Sequence, residues 1–140
     1  MTALQFQRES FLRKVEDVND DQARTSMVPS GTSLLWLTRH VAFAEQIWIV
    51  ERFAGETRTA VNEVASDDTI AEAIDAYRRT WAQVDGLVRA GSLEDAIDDP
   101  SYPGQRLSLR WIVVHLLEEV ARHAGHADIL RELLDGETGR

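Results

Sequence analysis

The chain has 140 residues, 44% of them apolar, with four tryptophans and no cysteine. That is enough to bury a core within one domain, expected over 1–140, and it excludes disulfide frameworks, thiolate metal sites and cysteine nucleophiles. The formal net charge of −9 disfavours a nucleic-acid partner, and Lys14 is the only lysine. No basic segment leading into an apolar core opens the sequence, and no apolar run approaches the ~18 residues of a membrane span. The expectation is a cytoplasmic protein without a membrane partner.

Four stretches repeat at helical period. The first runs from about Leu4 to Asn19, with Leu4, Phe11, Val15 and Val18 on one face. Asp20 and Asp21 lead into the breaker cluster Met27-Val28-Pro29-Ser30-Gly31. The second helix is expected from about Thr32 to Ala54, capped by Thr32 or Ser33 and stopped by Gly55. Leu34, Leu35, Trp36, Leu37, Val41, Phe43, Ile47, Trp48, Ile49, Val50 and Phe53 make it apolar on most sides, so it is central. Trp48, Ile49 and Phe53 exceed what one core needs and predict a homodimer. A loop then runs from Thr57 to Asp68.

The third helix is expected from about Thr69 to Ala90, with Ile70, Ile74, Tyr77, Trp81, Val84 and Val88 at threes and fours. Asp68 or Thr69 caps it and Gly91 stops it. The connection Ser92 to Leu107 holds Asp98-Asp99-Pro100 and Tyr102-Pro103-Gly104, turn signals without a hairpin pattern. A loop of that length often lines a site. The fourth helix is expected from Ser108 to Leu134, ended by Gly136, with Ile112, Leu116, Ala127 and Leu130 inward. Four such helices and no strand alternation predict an all-α, up-down four-helix bundle.

The four histidines are His40, on the second helix, and His115, His123 and His126, on the fourth. At ~100° per residue, His123, His126 and His115 lie about +40°, −20° and −40° from Glu119. Three imidazoles and a carboxylate therefore share the stripe that carries core residues. An unpaired carboxylate buried there is costly, and a divalent cation offsets that cost. Glu119 and His123, at i and i+4, reach a common point, and His40 sits among Leu37, Phe43 and Ile47 on an inward face. Three nitrogen and oxygen ligands from two helices make an open metal site. On the residues alone, His126 can replace His123, His115 can replace either, and a hydrogen-bonded core network competes with the metal.

Met27 to Gly55 (MVPSGTSLLWLTRHVAFAEQIWIVERFAG), Thr69 to Trp81 and Ser108 to Gly136 (SLRWIVVHLLEEVARHAGHADILRELLDG) together resemble the actinobacterial branch of the DinB-like superfamily. The resemblance is to the bundle of mycothiol-dependent maleylpyruvate isomerases and to small thiol S-transferases. It implies a DinB-like bundle holding a metal near one mouth, with His40, Glu119 and His123 as ligands. His123-Ala124-Gly125-His126 falls where many relatives carry His-Arg-Gly-Gln, which favours His123 over His126.

The expected cofactor is a divalent metal, zinc first, with nickel or iron as alternatives, together with a low-molecular-weight thiol of the mycothiol type. The expected activity is metal-dependent thiol S-transfer onto small electrophiles. The alternatives are a non-catalytic metal- or small-molecule-binding module and a purely structural bundle. Trp36, His115 and His126 are the expected pocket residues, with Trp111 and Tyr102 behind them.

Overall fold

A computed structural model describes residues 2–138. Helix α1 (Ala3–Leu12) starts where the Thr2 hydroxyl accepts from Gln5 N and buries Leu4, Arg8, Phe11 and Leu12. It is shorter than its apolar period predicts. From Arg13 the backbone tightens, with Lys14 N bonded to Phe11 O and Val15 N to Leu12 O at 3.0 and 2.9 Å. Val15 and Val18 stay buried, so the inward pattern outlasts the helix itself. Asn19, expected to end the first helix, and Asp20 and Asp21, expected to lead into the break, instead open a short helix α2 (Asp20–Arg24) through a reciprocal cap between Asn19 and Gln22. Asp20 Oδ1 accepts from Ile70 N at 2.8 Å, tying this turn to a later helix.

Ser33 caps helix α3 (Leu34–Glu45), which continues without interruption as a π-helical segment, Gln46–Phe53. The widened winding is visible where Ala54 N donates to Ile49 O. Of the three residues whose apolar excess suggested a dimer, Trp48 and Ile49 are buried within the chain itself and Phe53 is half-buried.

Thr69 and Glu72 form the cap of α4 (Ile70–Ala90). Gly91 ends it at a close approach. A Cβ there would lie 3.1 Å from Leu109 Cδ2 and 3.3 Å from Phe53 Cζ. The following connection corrects the expectation of a loop without strands. β1 (Ala96–Asp98) and β2 (Arg106–Ser108) pair antiparallel, Ile97 opposite Leu107. Strands of three residues are too short to show alternation in sequence. Helix α5 (Leu109–Asp135) runs from its Ser108 cap to Gly136, which ends it in the left-handed conformation at φ 79°.

The long helices build an all-α bundle: α1 packs on α5, and α3 packs on both α4 and α5. No helix among the described residues is long and apolar enough to cross a membrane. The core forms two apolar clusters, one around Phe11, Leu35, Val41, Tyr77 and Ala127, the other around Ile49, Val84, Leu109 and Leu116. Arg8 and Glu45 lie, along their helices, where one cluster gives way to the other, and both are fully buried. Arg8 Nε donates to Glu45 Oε1 at 2.9 Å, a second guanidinium N–H goes to Glu45 Oε2, and a third reaches Asp85 at 2.8 Å. The Tyr77 hydroxyl donates to Glu45 Oε1 at 3.0 Å. Burial pushes the Glu45 carboxyl up, although Arg8 and Tyr77 pull it down, and it pushes the Tyr77 phenol well up.

Candidate metal centre

The packing of α3 against α5 brings His40 opposite Glu119 and His123. His40 Nε2 lies 3.1 Å from Glu119 Oε1, and His123 Nε2 lies 3.0 Å from the same oxygen. Among the described residues, these three form a ligand-type group whose donor atoms all lie within 4.8 Å of one another. The other carboxylate oxygen, Oε2, accepts from Arg122 at 2.7 Å, which fixes the carboxylate plane and leaves Oε1 to the imidazoles.

The outer ring nitrogens are also engaged. His40 Nδ1 lies 3.1 Å from Asn62 Oδ1, and His123 Nδ1 lies 3.2 Å from His126 Nδ1. Metal-binding imidazoles are oriented in this way, with the far nitrogen hydrogen-bonded and the near one free to coordinate. Trp36, one turn before His40, stacks on it at 4.8 Å and 15°. The His40 and His123 rings meet edge-to-face at 4.6 Å.

The donor set fits a zinc-like ion on two grounds. Two ligands about 2.0–2.1 Å from a tetrahedral ion stand roughly 3.4 Å apart. The 3.0 and 3.1 Å separations approach that, and the two imidazole donors lie within 4.8 Å of each other. The protonation states also suit it. Burial opposes ionisation of Glu119, but the hydrogen bonds and charge of His40 and His123 outweigh it and hold the carboxyl below its ordinary value. Burial and the neighbouring His40 charge hold the His123 imidazole below its ordinary value, against the pull of Glu119. A carboxylate and a neutral imidazole are the forms that bind a metal.

The three ligand candidates read from sequence come together, and the expected pocket residues divide. Trp36 and His126 join the triad. His115 does not. It stacks on Trp111 at 5.2 Å and 5°, and meets Trp48 edge-to-face at 4.7 Å. Tyr102 packs on Trp48 and Trp111, so the 92–107 connection serves this aromatic cluster.

A cleft of about 290 Å³ adjoins the triad through His126, lined also by Val28, Ser30, Thr32, Ile129 and Leu130. A larger cavity of about 570 Å³ lies between α3, α4 and their connection, with Arg39, Gln46, Thr59 and Thr80 on its walls. Asn62 escaped sequence reading. It lies 22 residues from His40 in a connection without periodicity, and nothing in the pattern singles it out.

The all-helical bundle, with His, Glu and His brought together from two facing helices, agrees with the DinB-like fold that the sequence resemblance implied. A family model described as Mycothiol-S-transferase matches residues 1–136, and the chain belongs to that family. A search of the curated proteins finds no match. Among solved structures, the chain is similar to a conserved protein of a locus from Enterococcus faecalis. The TM-score is 0.68 at 19% identity, over 96% of this chain and 94% of that one, a likeness of fold.

Proposed function

We propose that the chain, acting as one bundle domain, is a metal-dependent thiol S-transferase that joins a mycothiol-type thiol to small electrophiles. One observation carries this reading: His40 Nε2 and His123 Nε2 converge on Glu119 Oε1 in a chain of the mycothiol-S-transferase family. His40, Glu119 and His123 would hold the ion, zinc before nickel or iron, because all three donors are nitrogen or oxygen. A bound zinc-like ion supplies a Lewis acid that lowers the pKa of a coordinating thiol.

The remaining residues shape the surroundings. Asn62 and His126 hold the two imidazoles from behind, and Arg122 holds the carboxylate. Trp36 walls His40 on one face. The cleft beside His126, with Val28, Ile129 and Leu130 on its walls and no Asp, Glu, Lys or Arg among its lining residues, suits an uncharged, largely apolar electrophile.

Protein purified without a nickel column should carry about one zinc per chain. It should conjugate mycothiol to an epoxide or alkyl halide, and bacillithiol and glutathione test the choice of thiol. Glu119→Gln should lose both metal and conjugation. Wild-type protein that takes up no divalent metal at micromolar concentration, or conjugation that survives in the metal-free protein, overturns the reading.

A further inference from the structure

We infer that Asn62 is a positioning residue that sets the tautomer of His40, and that the connection between α3 and α4 is folded to deliver it. The inference rests on reading His40 as a metal ligand.

The connection between Ala54 and Thr69 has no regular structure of its own, yet it is held at both ends. At the near end Gln46, buried in the π-helical segment, accepts from Thr59 N at 2.8 Å and Ala60 N at 2.9 Å through Oε1. The amide nitrogen of Gln46 donates to Thr80 Oγ1 at 3.0 Å, which fixes the carboxamide orientation. At the far end Arg24 donates to Ala65 O at 3.0 Å and also to Asp68 O. Asp68 Oδ2 accepts from Ala65 N and pairs with Arg39, both at 2.7 Å.

Between these anchors residues 61–64 alternate as an extended chain does, Val61 and Glu63 outward, Asn62 and Val64 inward. Val64 packs on the core, and Asn62 meets His40. A surface loop needs none of these anchors to close the chain. Together they fix where one side chain ends.

The chemistry at that point is directional. A carboxamide oxygen only accepts, so Asn62 Oδ1 facing His40 Nδ1 draws the proton to Nδ1, against the pull of Glu119 Oε1 on Nε2. A neutral His40 then carries its lone pair on Nε2, the nitrogen that faces Glu119 and His123. With the carboxamide reversed, its NH2 would donate to Nδ1 and the proton would move to Nε2, where it blocks coordination. Asn62 therefore selects between a ring that can bind a metal and one that cannot.

The test compares wild type with Asn62→Leu, Asn62→Asp and Glu63→Gln, an exposed neighbour on the same span. Zinc affinity should fall about 10–100-fold in Asn62→Leu, as for other groups that orient metal ligands. Asn62→Asp keeps an acceptor and should stay within a few fold of wild type, and Glu63→Gln should match it. Nitrogen NMR of the metal-free protein at about pH 8, where imidazoles are mostly neutral, should show a larger Nδ1–H fraction of His40 in wild type than in Asn62→Leu. The Nε2–H form should increase in Asn62→Leu. An unchanged tautomer in Asn62→Leu overturns the inference, and so does zinc affinity within twofold of wild type. If wild type and His40→Ala both fail to bind zinc, the metal reading fails instead, and the tautomer comparison still decides the role of Asn62.

Discussion

Glu45 and His40 stand on the same helix, five residues apart; the polar cluster at Glu45 joins α1, α3 and α4, and that at His40 joins α3, α5 and the connection carrying Asn62. The cluster at Glu45 is closed. Its carboxylate takes two guanidinium N–H groups from Arg8 and one hydroxyl from Tyr77, and every partner is a donor. The cluster at His40 is short of donors. Two imidazoles approach one carboxylate oxygen, and the far side of His40 faces a second acceptor, Asn62 Oδ1. Only extra protons or a cation complete that arrangement, and its groups are partly open to solvent, whereas Arg8 and Glu45 are sealed. The comparison separates polarity matched donor for acceptor within the chain from polarity that, on the proposed reading, a cation would complete.

The sharpest way to break the comparison is to unbalance the closed cluster. Glu45→Leu leaves the Arg8 guanidinium buried with only half-exposed Asp85, and arginine cannot shed its charge. A loss of about 3–5 kcal/mol in urea unfolding is expected. Arg8→Met should cost less, because the Glu45 carboxyl, already pushed up by burial, can take a proton and become neutral. The double variant Arg8→Met/Glu45→Leu should recover most of the loss, since no charge remains buried. Equal losses in both single variants, with no recovery in the double, would mean that the pair is not the unit described here.

The open cluster should behave in the opposite way. His40→Ala, Glu119→Gln and His123→Ala should each cost metal-free protein clearly less than Glu45→Leu, because none of them strands a fully buried charge. Their main effect should appear with zinc. At about a thousand times its dissociation constant, zinc should stabilise wild type by roughly 4 kcal/mol, and the three variants should lose nearly all of that in thermal melts. Metal-free variants as unstable as Glu45→Leu would place the triad with the closed cluster.

His126→Ala refines the same contrast one shell further out. The ring holds His123 Nδ1 without belonging to the triad, so zinc binding should weaken about tenfold and persist. His126→Gln, which keeps a hydrogen-bonding group there, should restore part of it. A loss as deep as that of His123→Ala, read by calorimetric titration, would exchange the roles of the two histidines.

What the sequence disclosed follows from how each signal is carried. His40, Glu119 and His123 lie on regular helices, where spacing of one turn converts directly into a shared face, and the packing of α3 on α5 does the rest. For the same local reason Ser33 and Thr69 were each one of two cap candidates, and Ser108, expected as the start of its helix, caps it. The end of α1 was not, because Val15 and Val18 stay buried in tight turns and keep the inward period beyond Leu12. Neither was the hairpin, whose three-residue strands offer one facing apolar pair, Ile97 and Leu107. Nothing in the sequence pattern singles out Arg8 or Glu45. Their pairing joins residues 37 apart in sequence and follows from tertiary packing alone. Asn62 shares that origin, being placed by Gln46 and Arg24 from outside its own connection.

The smallest expected effect tests the comparison at the end of α5, with an ion pair that is neither sealed nor awaiting a ligand. Asp135 accepts from Arg131 Nε at 2.8 Å and from Glu137 N at 3.1 Å. A carboxylate at a helix C-terminus is disfavoured by the helix dipole, yet the hydrogen bond from Arg131, then that from Glu137, hold this carboxyl below its ordinary value. The local donors therefore outweigh the dipole, and the sign follows. A group whose folded value is depressed contributes stability above its unfolded value, near 3.8 here, and loses that contribution as the pH falls through the folded value. Asp135→Asn keeps an acceptor and removes the charge, so it should be slightly less stable than wild type at neutral pH. The gap should narrow once the pH passes below 3.8, as the wild-type carboxyl takes up its proton. Paired urea titrations at neutral and acid pH measure the gap directly. A gap of the same size at both, or a variant more stable than wild type at neutral pH, would show that the dipole and not Arg131 governs this end of the helix.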